Sequence, residues 1–453
     1  MKRKIFVLLL AILLPVCPKS LAQKVLDDYI KMGLESNLAL QQKQSEYQKS
    51  IEALKEARSL FYPDISFNAR YTVSKGGRTI VLPVGDMLNP VYSTLNMLTS
   101  SSMFPSIDNQ TIRFLRPKEH ETKIRLIQPV FNPDIYFNSK IHKEMTGYQE
   151  ADMDQYRREL IAEIKKAYYN VSMSEGVLNM LRESRKLLEE NVRVNRKLVE
   201  NDKATRDVIY RSEAELGKFD QRLQEAEKDR LISGAYFNFL LNRQLGDSII
   251  IQLPLSLPGI AELALAGEAP VPGQREEIRK LEELNQVADL NLKRNNAGKL
   301  PDIFLAVDYG FQGKKYEFNR DQEYAQASAV LTWSLFKGFQ NREKIKQAML
   351  DKKIVESRLE EAKKQIQLQV TNTLSELKTS EAGISAAESV LINAKEAYRL
   401  IEKRYNNGQA SLLEYIDART TLTQASESLI IARYNYLICF AEFEKVAMYK
   451  NNE

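Results

Sequence analysis

The sequence predicts a mainly α chain with a small β part, in which long coiled-coil helical hairpins and four amphipathic strands are laid out as an internal duplication. Three observations predict this. Paired anchors recur in the same order in two halves of the chain, four stretches alternate strictly between apolar and polar, and two proline-free stretches far exceed the length of an ordinary globular helix.

The duplication sets the frame. Pro63-Asp64-Ile65 recurs as Pro301-Asp302-Ile303, 238 residues on, and at that offset Tyr71 meets Tyr309 and Asn37-Leu38-Ala39-Leu40 meets Arg275-Glu276-Glu277-Ile278. Phe131 and Phe336 repeat at an offset of 205, Ala204-Thr205 and Ala410-Ser411 at 206. The drop of 33 places extra chain in the first copy, within about Lys75 to Glu119. That segment, holding Met97, Met103 and Phe104, is expected to be an external or plug-like loop.

Each copy carries two strands. Ile65, Phe67, Ala69, Tyr71 and Val73 alternate with Ser66, Asn68, Arg70, Thr72 and Ser74; Ile303, Leu305, Val307, Tyr309 and Phe311 form the matching set. Return stretches follow at Thr122-Ile124-Leu126 and Ala327-Ala329-Leu331-Trp333-Leu335. Two readings fit such alternation: a half-buried soluble sheet, or a barrel wall with lipid outside and water within. Trp333 and the strand tyrosines fit either an interfacial aromatic belt or ordinary packing.

The remainder reads as helix. Gln340 to Tyr405 contains no proline and one glycine, Gly383, so an unbroken helix there would run about 100 Å. Asp134 to Glu200 is its counterpart. Short turns follow, Asn201-Asp202-Lys203 and Asn406-Asn407-Gly408, each leading into a second long helix. The last helix carries an apolar seam at Tyr415, Ala418, Leu422, Ala425, Leu429, Ala432, Tyr436, Cys439, Phe443 and Val446, and its partner repeats the rhythm from Ala387 through Tyr398 to Tyr405. Steps of three and four are the coiled-coil period, and the alanines allow close approach of the axes.

The resulting organisation is a leader at 1–22, a first repeat at 23–252, a linker at 253–273 and a second repeat at 274–453. Strands are expected at about 64–74, 120–131, 302–313 and 326–336, and hairpins at about 134–245 and 339–449. In the leader, Lys2, Arg3 and Lys4 precede an apolar core, and Ser20-Leu21-Ala22 offers a small-x-small cleavage site. The leader's four basic residues account for all but +1 of the chain's +5 net charge, so no nucleic-acid partner is indicated. Pro15 and Val16 make Cys17 a poor lipidation site, so with cleavage before Gln23 Cys439 is the only mature cysteine and cannot form an intrachain disulfide. His120 and His142 lie far apart in sequence, no zinc spacing, nucleophile elbow or phosphate loop appears, and neither enzyme, metal site nor cofactor is expected.

Four strands are too few for a membrane barrel, and an open sheet in lipid leaves backbone groups unpaired at its edges. If the strands enter a membrane, chains must pool them. Two chains would give eight strands, three would give twelve with room for a lumen.

The chain resembles the TolC-like outer-membrane efflux protein family over nearly all of its mature length. The resemblance rests on Asn37-x-x-Leu40, both Pro-Asp-Ile starts, Phe336-Lys337-Gly338, the segment from Tyr405 to Leu422, and Ala432-Arg433-Tyr434-Asn435-Tyr436-Leu437. It implies a homotrimer in which each protomer gives four strands to one twelve-stranded outer-membrane β-barrel and its helices to a periplasmic tunnel. The implied role is the passive exit channel of a tripartite efflux or type I secretion system in a Gram-negative cell, meeting a periplasmic adaptor protein, an inner-membrane pump and outer-membrane lipid. The alternative is a soluble periplasmic coiled-coil adaptor or scaffold.

The same resemblance assigns site residues. Glu414 and Asp417 fall on the acidic pore constriction, although acids in a first helical turn are also favoured by the backbone dipole alone. Tyr405 and Asp207 fall on the network that closes the tip. The arginine of that network falls on Ala410, so one closing salt bridge cannot form in the family's way, with Arg206 or Arg419 as possible substitutes. The turns Asn201, Asp202, Lys203 and Asn406, Asn407, Gly408 would face the adaptor, with Asp202 standing where the second turn has glycine.

Overall fold

A computed structural model describes residues 21–252, 257 and 275–447. The leader expected at 1–22, apart from its last two residues, and the linker at 253–273, apart from Leu257, lie outside them. The chain divides into two compact units, each discontinuous in sequence: one holds residues 1–50, 144–286 and 353–453, the other 51–143 and 287–352.

The first unit is helical. Helices α1 (Leu21–Ser36) and α2 (Leu38–Ser59) meet at Asn37. Its side chain explains the Asn37-x-x-Leu40 pattern. Asn37 Oδ1 accepts the Leu40 N–H at 3.0 Å, capping α2, while Nδ2 donates to the Leu240 carbonyl at 2.8 Å. The cap thereby turns Leu40 into a core built from Leu26, Tyr29, Ile164, Tyr168, Val171 and Phe237. Gly33 leaves room there, since a Cβ would lie 2.3 Å from Ile164 Cδ1 and push that side chain aside. At the duplicated position Ile278 is fully buried, as Leu40 nearly is.

Two hairpins complete this unit. Helix α4 (Pro133–Glu200) returns through α5 (Asp207–Leu240) over Leu181, Leu188 and Phe219. After α6 (Glu276–Ala297), α7 (Gln340–Asn406) returns through α8 (Leu412–Ala447). Every position of the expected α8 seam is buried or half-buried. A second face of α8, carrying Arg419, Thr423, Tyr434, Leu437 and Ala441, is buried as well. That face meets the first hairpin, where Lys165 and Lys166 of α4 pair with Glu444 at 2.8 Å and Glu442 at 3.0 Å.

The second unit is a four-stranded antiparallel sheet in the order β1 (Asp64–Val73), β4 (Lys118–Phe131), β5 (Asp302–Gly313), β6 (Glu323–Thr332). Its register aligns the two predicted faces. Phe67 stands opposite Ile124, which stands opposite Tyr309, which stands opposite Ala325. This face is left open: Ile65, Phe67 and Val73 are 66%, 71% and 70% exposed. The other face is an ion-pair lattice. Arg125 grips Asp308 through two hydrogen bonds of 2.7 and 2.6 Å, and Glu121 accepts from Lys123, Arg70 and Tyr324 at 2.8 to 3.0 Å.

Two expectations need correction. The last strand ends at Thr332 rather than near residue 336, because Trp333 leaves the ladder and its indole N–H donates to the Lys299 carbonyl at 2.9 Å. The segment expected as a loop at 75–119 is built. It holds a two-stranded ribbon, β2 (Thr79–Leu82) with β3 (Gln110–Arg113), and helix α3 (Val84–Thr99) between them. Pro90 inside α3 and its lack of charged residues after Asp86 hide it from a reading tuned to the other helices.

Candidate functional site

The site residues lie in the helical unit, where each hairpin turns. Both turns have one backbone design. Asp202 at φ 58 and Gly408 at φ 72 adopt the left-handed conformation, and the next N–H groups, of Lys203 and Gln409, reach back to the Leu198 and Arg404 carbonyls at 2.8 Å each. This is the Schellman closure of a helix end. Asp202 thus takes the backbone role that Gly408 takes in the second hairpin. Asn201 adds a side-chain bond to the Lys197 carbonyl at 2.7 Å, and Asn407 donates its N–H to the Lys403 carbonyl at 3.3 Å. Asn406 is the last residue of α7.

Glu414 and Asp417 differ in their commitments. The Glu414 carboxylate accepts the Ser411 backbone N–H at 2.7 Å and the Ser411 hydroxyl at 2.9 Å, while the Glu414 N–H donates to Ser411 Oγ at 3.2 Å. This reciprocal pair is a capping box opening α8. The bond from the Ser411 backbone holds Glu414 below the usual glutamate range. Asp417, one turn on, is exposed and makes no hydrogen bond or ion pair among the described residues. The signal for the box, Ser-x-x-Glu at the start of an apolar run, is in the sequence.

Tyr405 and Asp207, both assigned to the tip network, do not bond to each other within the protomer. The Tyr405 hydroxyl instead donates to Asn195 Oδ1 at 2.8 Å, and Asn195 Nδ2 donates to Asn191 Oδ1 at 3.0 Å. Both asparagines are buried on α4. Asp207 is held locally, accepting from the Thr205 hydroxyl and lying 3.7 Å from Arg211, one turn along α5. The geometry on the tyrosine side explains the choice. The Tyr405 ring stacks on Tyr415 with centroids 4.8 Å apart, and Tyr415 shares a 3.2 Å hydroxyl contact with Tyr398, which donates to Glu402 at 2.8 Å. Burial pushes the Tyr398 and Tyr405 hydroxyls above the usual phenol range. Leu181, Leu188, Val192 and Asn195 follow the coiled-coil rhythm, so a polar residue at a core position was the available signal for Asn195.

Arg419, named as a substitute for the arginine missing at Ala410, is buried beside this aromatic group, and its Nη1 has no hydrogen-bond partner. Burial holds its guanidinium below the usual arginine range. It closes no salt bridge among the described residues. Among the described residues no group of three or more His, Cys, Asp or Glu is placed to hold a metal ion.

Comparison with known proteins gives a consistent result. The sequence profile of the family described as "Outer membrane efflux protein" matches residues 273–446. Outer membrane protein TolC of Escherichia coli K12 is 22% identical over 452 residues, covering 92% of this chain and 81% of its own. Toluene efflux pump outer membrane protein TtgC of Pseudomonas putida is 22% identical over 288 residues, covering 61% of this chain and 58% of its own. The crystal structure of the outer membrane protein VceC of Vibrio cholerae superposes with a TM-score of 0.76 at 14% identity, covering 94% of this chain and 97% of that one.

Proposed function

We propose that this chain is a member of the TolC-like outer-membrane efflux protein family and serves as the outer-membrane exit channel of a tripartite efflux or type I secretion system. Three protomers would pool their strands into a twelve-stranded barrel, and their helices would form the periplasmic part of a passive conduit. A periplasmic adaptor and an inner-membrane pump would open it at the hairpin turns.

One observation carries the reading. The four-stranded sheet has two free edges, β1 and β6, an exposed apolar face, and an ion-paired opposite face. In water that apolar face would be an aggregation hazard, and in lipid the free edges would each leave backbone groups unbonded. Joining β1 of one copy to β6 of the next removes both problems and turns the charged face toward a water-filled lumen.

At the tip, Asp417 is the acid free to line a constriction, and three copies would ring the axis with carboxylates that attract cations. Glu414 would reinforce that field while holding the start of α8. Extraction tests the reading: the channel leaves membranes only with detergent and runs as a trimer, whereas release by osmotic shock as a monomer would overturn it.

A further inference from the structure

The insert between β1 and β4 is more than a connection, and its construction points to a partner. The ribbon of β2 and β3 continues the β1–β4 hairpin past the sheet, joined through the 3.0 Å bonds from Ser74 N to Pro117 O and from Phe114 N to Arg78 O. Above it, α3 is fastened to the returning chain by asparagines. Asn89 donates to the Ile107 carbonyl at 2.9 Å and accepts its N–H at 2.8 Å. Asn96, two turns further along the same helix face, does the same for Phe104 at 2.8 and 3.0 Å. Asn109 accepts the Asp86 N–H at 3.1 Å and donates to the Asp86 carboxylate at 2.9 Å. At Gly85 a Cβ would sit 2.2 Å from the Ile107 carbonyl oxygen, so the chains approach as closely as glycine allows.

The Asn89 and Asn96 clamps each satisfy the backbone of a single return residue, as a neighbouring strand would. The insert is therefore ordered chiefly by polar clamps, with one ring contact between Tyr92 and Phe104 beside them. Its apolar side chains are left over. Met87, Val91, Met97, Leu98 and Met103 are between 51% and 79% exposed. Residues 84–107 contain one charged side chain, Asp86, which Asn109 already engages. A surface so apolar and so poor in charge marks a contact site.

Resting on the trimeric reading above, we propose that the inserts of the three protomers pack against one another through the exposed face of α3 and form an apolar lid over the barrel's outer mouth. Three observations select other copies of this chain as the occupant. The insert springs from the edge strand β1, so barrel closure carries it to the joint between protomers. It stands at the end of the sheet opposite the strand ends that lead to helices, so all three inserts rise from one rim. The scale also fits. Helix α3 has 16 residues and is about 24 Å long, while twelve strands tilted about 40° enclose a mouth about 24 Å across. A lipid surface is disfavoured, because residues 84–107 offer no lysine or arginine to its phosphates.

The test is a photo-crosslinking amino acid at Leu98 in the full-length protein, illuminated in intact cells. The lid predicts an adduct between two copies, with the attachment site inside residues 84–107 of the second copy. It also predicts loss of that adduct when Met97→Glu is added, a change at an exposed position that leaves the clamps in place. An adduct to a different protein or to lipopolysaccharide, or no intermolecular adduct at all, would overturn the lid. Light scattering of the same purified sample separates the two readings, since a monomer there would sink the barrel itself, while a trimer without the adduct sinks only the lid.

Discussion

At Asn195 one buried amide joins the two hairpins, accepting from Tyr405 while donating to Asn191. Replacing it by alanine removes the acceptor from a buried hydroxyl, at a cost of about 1–3 kcal/mol. Hydrogen exchange in the α7–α8 turn of Asn195→Ala should rise accordingly, and unchanged protection would mean that the link does not hold the turn. The acids make a second pair of expectations. Asp417→Asn should weaken cation block of single-channel current in planar bilayers several-fold. Glu414→Gln should do less to block and more to the start of α8, since its carboxylate serves Ser411. Equal effects would contradict this division. The motif places Tyr405, Glu414 and Asp417 beside the second turn, whereas Asn195 was not legible, because which polar residue meets a tyrosine depends on how two hairpins pack and not on either one alone.

Helices and strands were legible to the extent that their periodicity was undisturbed. The α8 seam and the two-faced strands stood out because one residue pattern answers to one environment. The second buried face of α8 was not legible, since Arg419, Thr423 and Tyr434 interrupt it with polar atoms. Arg419→Met makes this testable. Removing a buried guanidinium with an unbonded Nη1 should leave the melting temperature unchanged or raise it, by about 1 kcal/mol of added stability; a large drop would mean the charge has a partner across the protomer boundary. The contact between α4 and α8 should respond to acid. Although burial opposes it, bonds from Lys445 and Lys166 hold Glu442 below its ordinary value of 4.5. A depressed carboxylate contributes stability above that ordinary value and loses it as pH falls through the lower one. Hydrogen exchange along 436–446 should therefore rise below about pH 4.5, and Glu442→Gln should flatten the dependence. Helix α3 escaped notice for a different reason: Pro90 interrupts it, and no charged residue after Asp86 marks a polar face.

On the scale of the whole molecule, one protomer leaves much apolar surface without a partner. The outer faces of the sheet strands are open, and so are Leu231, Leu368 and Ile392 on the long helices. The outer edges of β1 and β6 also have no partner strand among the described residues. Among the described residues no helix is long and apolar enough to cross a membrane. The account predicts that the wall closes when β1 of each copy meets β6 of the next. A cysteine pair across that joint, one in β1 and one in β6, is the most direct measurement, made in native membranes with Cys439→Ser as background. Oxidation should convert the chain into a covalent trimer resistant to boiling in detergent. Chains that stay monomeric, or that link within one protomer, would contradict the account.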